Sequence, residues 1–316
     1  MAAYILRRLF FAALVLVAVS ILVFAVTAVL PGNVATLILG SFAAPAQVHA
    51  LEQRLGLDLP LPLQYWHWAS GVLHGDLGHS ILMNRPVWPL LREAIERSAI
   101  LAVTAFGFVV VIGLALGVAA ALRRNRPLDH AVSVATFLGI AVPEFFWAIV
   151  VILVFAGWLG WLPSSGYENF SDGFTIAFPF MIAPVLTLVF AHLAHVSRLT
   201  RSSMIGVLGS PYITAARAKG LPERVVIWRH ALRNALMPSI TVLAMDFGRL
   251  MGGIVVVETV FAWPGLGRLL IFSIQNRDIP TLQASILVIA AIYALANLAA
   301  DLLCALLDKR VRDAVA

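Results

Sequence analysis

The chain has 316 residues, of which 61% are hydrophobic and 12% are charged, and its net charge is +6 at neutral pH. Soluble globular proteins carry about 25% charged residues, so this composition excludes that class and predicts one multi-span membrane domain over residues 1–316. The positive residues stand in short clusters beside apolar runs, and no basic stripe with interleaved aromatics appears. That pattern argues against nucleic-acid binding.

Six apolar runs are each long enough, as helices, to cross a hydrocarbon core of about 30 Å. The first run is longer than the apolar core of a secretory signal peptide, so we predict an uncleaved first span. In chain order the predicted spans are Leu9–Leu30, Ala99–Leu122, Val132–Leu159, Ala177–Val196, Ser239–Ala262 and Thr281–Leu307. An even number of spans places both termini on one side of the membrane.

The distribution of Lys and Arg predicts which side holds the termini. Fifteen of these residues fall on that face and six on the opposite one, and the positive face of a membrane protein is normally cytoplasmic. We therefore expect cytoplasmic termini, an extracytoplasmic loop at residues 31–98 and a cytoplasmic loop at residues 197–238. The fifteen are Arg7, Arg8, Arg123, Arg124, Arg126, Arg198, Arg201, Arg217, Lys219, Arg224, Arg229, Arg233, Lys309, Arg310 and Arg312.

The long outer loop has two helix signals of its own. The stretch "APAQVHALEQRLG" has Pro45 near a helix start and Gly56 at its end, which is the usual placement of these residues. The stretch "PVWPLLREAIERS" at residues 86–98 predicts an amphipathic piece that runs along the interface into the second span.

The cytoplasmic stretch "SPYITAARAKGLPERVVIWRH" at residues 210–230 predicts a short capped helix. Ser210 can cap its start, and Pro211 fits the first helical position. Gly220 can take the left-handed conformation that ends a helix, and Pro222 prevents the same helix from continuing.

A second helix is predicted from about Pro222 to Met237, with Val225, Trp228 and Leu232 on its apolar stripe. Physical reasoning alone leaves two interpretations of this unit open. It is either a basic loop that holds two spans at the interface, or a helix that docks into a groove on a cytoplasmic partner.

Several blocks of the chain resemble the ABC-importer permeases of the dipeptide, oligopeptide and nickel type. "RLTRSSMIGVLGSPYITAARAKGLPERVVIWRHALRNALMP" is similar to their EAA-loop region, and the resemblance extends over nearly the whole chain in matching order. The other blocks are "RLGLDLPLPLQYWHW", "GDLGHS", "AVPEFFW", "GGIVVVETVFAWPGLGRLL" and "DLLCALLDKRVR". The chain departs from the family pattern where Thr214 replaces an acidic residue and where Arg233 stands in place of a common proline.

The resemblance implies a six-span type I importer permease that pairs with a second permease, two cytoplasmic ATPase subunits and an extracytoplasmic solute-binding protein. It implies short peptides as the solute class, and it places ATP and magnesium on the ATPase subunits and no cofactor on this chain. The EAA helix would fit a cleft on an ATPase subunit and transmit its closure to the spans. The residues carried over to this docking role are Thr214, Ala215, Ala216, Arg217, Ala218, Lys219 and Gly220.

Charged residues within the spans are candidates for the solute path, because ionisable groups at membrane depth usually face a partner or a water-filled cavity. Asp246 and Arg249 are spaced to pair on one helix face, either as a structural ion pair or as part of the path. Glu144 follows the Pro143 break in the third span, and we expect it to face the path. Glu258 lies nearer a span end, where contact with water is easier.

A metal site and an enzymatic site are both disfavoured. His192 and His195 share a helix face, but no carboxylate or thiolate in the sequence pattern completes a metal site. No nucleophile with a base and an orienting group is recognisable. Two alternatives remain for function: the same mechanism acting on a nickel chelate, glutathione or another small solute, or a secondary transporter driven by an ion gradient.

Overall fold

The computed structural model describes residues 2–29, 34–39 and 43–307. Within those ranges every regular element is a helix, apart from an isolated bridge between His79 and Pro86, so the predicted all-α class is confirmed. In chain order the α-helices are α1 (Ala2–Val29), α2 (Val34–Leu39), α3 (Pro45–Leu55), α4 (Leu61–Leu73), α5 (Val87–Leu122), α6 (Pro127–Ala141), α7 (Glu144–Val151), α8 (Phe174–Leu208), α9 (Pro211–Ala218), α10 (Glu223–Val225), α11 (Leu232–Val260), α12 (Leu266–Gln275) and α13 (Ile279–Leu307). Two π-helical segments, Ile152–Trp158 and Val226–Ala231, continue α7 and α10.

Among the described residues, the helices long and apolar enough to cross a membrane are α1, α5, α8 and α13. These four helices overlap the predicted first, second, fourth and sixth spans, whereas α11, which covers most of the predicted fifth, is not among them. The predicted third span is not one straight helix, because α6 and α7 meet at a bend of 111°. Pro143 lacks an N–H and disfavours a helical Val142, which is extended at ψ 125°. The count of six spans and the cytoplasmic termini stay predictions.

The helix that covers the predicted fifth span extends toward the predicted cytoplasmic side without a break. From Glu223 to Val260, α10, the π segment and α11 form one continuous helix. The prediction that the second cytoplasmic helix ends at about Met237 is therefore wrong. Pro238 follows at once, but it removes one backbone hydrogen bond without ending the helix.

The predicted apolar stripe of this helix is also wrong. Trp228 is 63% exposed, whereas Val226, Ala231 and Ala235 are buried. The π turn adds a residue to the helical repeat, so the buried face recurs after five residues instead of three or four.

The core lies between α5, α8 and α11. Its fully buried members include Leu101 and Val109 of α5, Leu188 of α8, and Leu250 and Val257 of α11. Lipid is as apolar as these side chains, so within a membrane close packing, and not exclusion from water, holds the three helices together.

Glycine lets α5 and α8 approach closely. A β-carbon at Gly117 of α5 would lie 2.6 Å from the Ser197 carbonyl oxygen and 2.6 Å from Cβ of Thr200, both on α8. Such distances are shorter than van der Waals contact, so this crossing requires a residue without a side chain.

The first span lies at the periphery, against α13, and most of its apolar side chains are exposed. At one end Arg8 pairs with Asp301 of α13 at 2.5 Å. This contact joins the first described helix, α1, to the last, α13. The positive cluster predicted at Lys309, Arg310 and Arg312 lies outside the described residues.

The predicted helix that begins at Pro45 is confirmed as α3, which ends at Gly56 with φ +67°. The second signal of the outer loop forms the first turns of α5. Asp278, just before α13, accepts hydrogen bonds from the Ser80 hydroxyl at 2.5 Å and from the Ile81 amide at 3.1 Å. The outer loop is thus fastened to the start of the last span.

Candidate functional site

The stretch predicted to dock a partner folds as α9 followed by a sharp elbow. Ser210 holds the N-cap position with extended backbone (φ −77°, ψ 149°), yet its hydroxyl donates to the Val207 carbonyl at 2.5 Å and does not cap α9. Gly220 adopts φ +76°, a conformation that glycine takes without strain. Pro222 then precedes the next helix, so the predicted elbow at residues 220–222 is confirmed.

One face of α9 packs onto the rest of the chain. Ile213 and Ala216 are buried in a small cluster with Met204 of α8 and Val226 of the π segment. A helix of eight residues is too short to be stable alone in water. These contacts therefore hold α9 in a fixed orientation.

The opposite face of α9 and the elbow are exposed and present mostly small or polar side chains, with Leu221 as an exposed apolar one. Of the seven residues predicted to dock a partner, six are exposed, and Ala216 lies on the buried face. The exposed six are Thr214, Ala215, Arg217, Ala218, Lys219 and Gly220.

An ion pair spans the elbow. The Arg217 guanidinium donates to the Glu223 carboxylate through Nη2 at 2.6 Å and Nε at 3.1 Å. These hydrogen bonds hold the pKa of Glu223 below its usual value and raise the pKa of Arg217. The pair fixes the angle between α9 and the long helix without covering Gly220.

Three ionisable side chains from three helices meet in what we call the Glu–His–Asp cluster. Nε2 of His192 in α8 lies 3.1 Å from Oε1 of Glu144 in α7, and Nδ1 of His192 lies 3.4 Å from Oδ2 of Asp246 in α11. Their side chains are 5%, 26% and 1% exposed, respectively. Neither ring nitrogen is aligned for a hydrogen bond, and both contacts are ion pairs when the imidazole is protonated. A β-carbon at Gly253 would overlap the Glu144 carboxylate, so that glycine makes room for it.

Two members of the cluster, His192 and Asp246, lie near the middle of their helices. Asp246 is 14 residues from either end of α11, or about 21 Å along the axis. His192 is likewise near the middle of the 35-residue α8. Glu144 lies beside them at the bend between α6 and α7; its depth in the membrane and its facing the path stay predictions.

The predicted pairing of Asp246 with Arg249 is wrong. Asp246 contacts His192 on a neighbouring helix, whereas Arg249 is exposed and makes no ion pair with it. The spacing allowed a pair on one helix face, but a buried carboxylate gains more from a partner that is buried with it than from a side chain directed to the surface.

The expectation that Glu258 reaches water is also wrong, because its side chain is fully buried. Its carboxylate accepts hydrogen bonds from the Ser98 hydroxyl and from the Gly267 amide at 2.7 Å. The Leu266 amide donates to Ser98 Oγ at 2.8 Å. Glu258 and Ser98 therefore satisfy the free amides at the start of α12 and fasten that helix to α5 and α11.

Sequence reasoning missed the role of His192 between two carboxylates. The sequence did contain a signal. Two predicted spans each contain a carboxylate, Glu144 or Asp246, and a third predicted span contains His192 at a similar position along its length. Because an isolated charge at membrane depth is costly, such groups are expected to meet.

Comparison with known families covers almost the whole chain. Residues 113–313 match the family described as the binding-protein-dependent transport system inner membrane component, and residues 1–102 match the N-terminal region described for the same kind of membrane component.

Three relatives align over nearly their full lengths. The chain is 38% identical to a probable peptide ABC transporter permease of Sinorhizobium fredii over 99% of this chain and 100% of that protein. It is 40% identical to the glutathione transport system permease protein GsiC of Salmonella choleraesuis, over 98% of each. It is 37% identical to the dipeptide transport system permease protein DppB of Alkalihalophilus pseudofirmus, over 99% of this chain and 100% of that protein. The chain belongs to the family of inner membrane components of binding-protein-dependent transport systems.

Proposed function

We propose that this chain is a permease subunit of an ATP-binding-cassette importer that forms a translocation path for short peptides. The observation that carries the proposal is the exposed elbow at Gly220, which joins α9 to one continuous helix ending at Val260. That helix contains Asp246 of the Glu–His–Asp cluster. A surface that can dock a partner is thus joined rigidly to the middle of the membrane domain.

The complete importer in this proposal has a second permease, two cytoplasmic ATPase subunits that bind ATP and magnesium, and an extracytoplasmic binding protein. The six-span type I fold, with both termini in the cytoplasm of a bacterial inner membrane, is part of the same proposal. The family description supports it, since a binding-protein-dependent system needs a protein that delivers solute. The exposed apolar side chains of α1 suit contact with lipid.

In this mechanism the exposed face of α9 fits a cleft on an ATPase subunit. Closure of the ATPase pair on ATP moves α9, and the elbow transfers that motion to the long helix. The exposed Ala215 and Ala218 allow a partner to approach the helix backbone closely. Thr214 takes the place of an acidic side chain, so it offers a hydroxyl contact where the family pattern has a carboxylate.

The peptide class is supported by relatives whose names refer to peptide, dipeptide and glutathione transport. Glutathione is itself a small peptide, so it fits the same path. Nickel chelates and other small solutes remain alternatives within the same mechanism.

Reconstitution tests the proposal directly. The chain, its second permease, the ATPases and the binding protein would be placed in proteoliposomes, and uptake of labelled alanylalanine, glutathione and nickel chelate would be measured. We expect peptide uptake that requires ATP, the ATPase subunits and the binding protein. Uptake driven by a proton or sodium gradient without ATP would instead establish the secondary-transporter alternative.

A further inference from the structure

The Glu–His–Asp cluster has an excess of negative charge. It contains two carboxyl groups and one imidazole, and with both carboxylates ionised even a protonated imidazole leaves one negative charge over. Arg249 is exposed and forms no ion pair with the cluster, so it does not neutralise this charge at close range. An uncompensated charge near the middle of a membrane is costly unless it meets water or a cation.

Burial decides which carboxylate carries the excess charge. Asp246 is 1% exposed and lies against His192, so this carboxylate interacts with the imidazole inside the protein and is closed to groups outside it. Glu144 is 26% exposed, so its carboxylate can be reached from outside the subunit. The outward charge of the cluster is therefore on Glu144.

The backbone around Glu144 holds the carboxylate in this position. Glu144 is the first residue of α7, directly after the bend at Pro143, and the absence of a side chain at Gly253 leaves space for its carboxylate beside α11. Both ring nitrogens of His192 and both oxygens of Asp246 are buried without a hydrogen bond of good geometry. The buried part of the cluster is thus under-satisfied, and it gains from a positive group that approaches Glu144.

We infer that Glu144 is a subsite for the positively charged ammonium group of the solute, such as the free amino terminus of a short peptide, as it passes the middle of the membrane. The imidazole of His192 orients the carboxylate from behind. This inference rests on the proposed peptide-importer function, because it places Glu144 on the path. An ammonium and a carboxylate form hydrogen bonds in which both partners are charged, and these are stronger than the bonds of a neutral amide in the same place, where only one partner is charged. A metal ion is a poorer occupant, since the described residues contain no His, Cys, Asp and Glu group arranged to hold one.

Direct binding tests the inference without the binding protein. The permease pair in lipid nanodiscs would be mixed with alanylalanine or N-acetyl-alanylalanine, and saturation transfer from protein to peptide would be measured by NMR. We expect stronger transfer to the peptide with the free amine, and we expect Glu144→Gln to remove the difference. Equal transfer to both peptides in the wild type, or a difference that persists in Glu144→Gln, would overturn the inference.

Transport supplies the second readout. In the reconstituted importer we expect Glu144→Gln to lower ATP-dependent alanylalanine uptake about tenfold, and Glu144→Asp, which keeps the charge, to retain most of it. The matched control is Glu168→Gln, which changes an exposed carboxyl group outside the predicted spans and should leave uptake unchanged. Wild-type uptake in Glu144→Gln would sink the inference but not the importer proposal; absence of ATP-dependent uptake in the wild type would sink the importer proposal itself.

A basic side chain of the second permease is the other source of positive charge. If Glu144 pairs with such a residue, Glu144→Gln would weaken co-purification of the two permeases. That result would overturn the solute subsite. Retained co-purification together with lowered uptake supports it.

Discussion

Arg217 and Glu223 form two hydrogen bonds to each other across Gly220, at 2.6 and 3.1 Å, and so close the elbow between α9 and the long helix. Both side chains are exposed, so the pair contributes little to the stability of the fold. The pair instead restricts geometry, because it limits the angles that α9 can adopt relative to the long helix.

Breaking this pair should loosen coupling more than it lowers stability. We expect Glu223→Gln to reduce the peptide taken up per ATP hydrolysed by roughly two- to fivefold with nearly unchanged thermal unfolding, and the double variant Arg217→Glu, Glu223→Arg to restore part of the loss. Because the pKa of Glu223 is lowered, the pair is present at neutral pH and is lost on acidification through that lowered pKa. A double variant no better than the single one would contradict this role.

Substitutions at Gly220 should be tolerated according to how readily the backbone of the new residue adopts a positive φ. A β-carbon there meets no atom within 4 Å, so a substitution is resisted by backbone strain and not by a clash. We expect Gly220→Val to uncouple ATP hydrolysis from uptake while insertion into the membrane persists, and Gly220→Asn to be milder, because Asn accepts the left-handed conformation better. The strain for valine is about 1–2 kcal/mol.

The measurement for Gly220 is uptake and ATPase activity in the same proteoliposomes. Gly206→Ala is the matched control, since Gly206 lies in α8 and its β-carbon would also meet open space. Unchanged coupling in Gly220→Val would refute the importance of this elbow.

Replacement of Gly117 by a residue as small as alanine should already destabilise the protein. The added methyl would meet the Ser197 carbonyl and Thr200, so α5 and α8 would have to separate. We expect Gly117→Ala to destabilise the protein by about 1–3 kcal/mol, measured as a lowered thermal unfolding midpoint in detergent. Gly107→Ala on the same helix, where no atom lies within 4 Å, should be neutral or slightly stabilising. Equal effects of the two variants would contradict the close α5–α8 crossing.

Ser98 and Glu258 form a hydrogen-bond network at the start of α12, and loss of either side chain should lower the stability of the protein. Ser98→Ala removes a donor to the buried Glu258 carboxylate and an acceptor for the Leu266 amide, so we expect a loss of about 1–3 kcal/mol. Glu258→Ala should cost more, because it leaves several buried donors at the start of α12 without an acceptor.

Thermal unfolding and limited proteolysis near α12 are the measurements for this network. Ser171→Ala is the control, since Ser171 is exposed and its one hydrogen bond is to a neighbouring side chain. Ser98→Ala with the same midpoint as this control would show that the network does not stabilise α12.

Local chemistry predicted the parts of the fold that depend on neighbouring residues. Pro211, Gly220 and Pro222 define the start of α9 and its elbow because each restricts or frees the backbone at its own position. The lengths of the apolar runs located the long helices, because run length is also a property of residues that are neighbours in the sequence.

The parts that sequence reasoning missed depend on contacts between distant residues. Pro143 produces a bend whereas Pro238 lies inside a continuous helix, because the outcome depends on the packing around each proline. Likewise, the i,i+3 spacing of Asp246 and Arg249 allowed a pair, but the arrangement of α8 and α11 gave Asp246 a histidine partner. Pairing between helices cannot be read from the spacing within one helix.

The unbroken helix from Glu223 to Val260 also sets a scale for motion in the membrane. Asp246 lies 23 residues from the elbow end of this helix, which corresponds to about 35 Å. A tilt of only about 5° at the elbow would carry Asp246 about 3 Å sideways by this geometry. Because Asp246 and His192 are only 3.4 Å apart, a displacement of that size would nearly double their separation. A small movement at the elbow would therefore be amplified into the separation of Asp246 from His192, about 35 Å away along the helix.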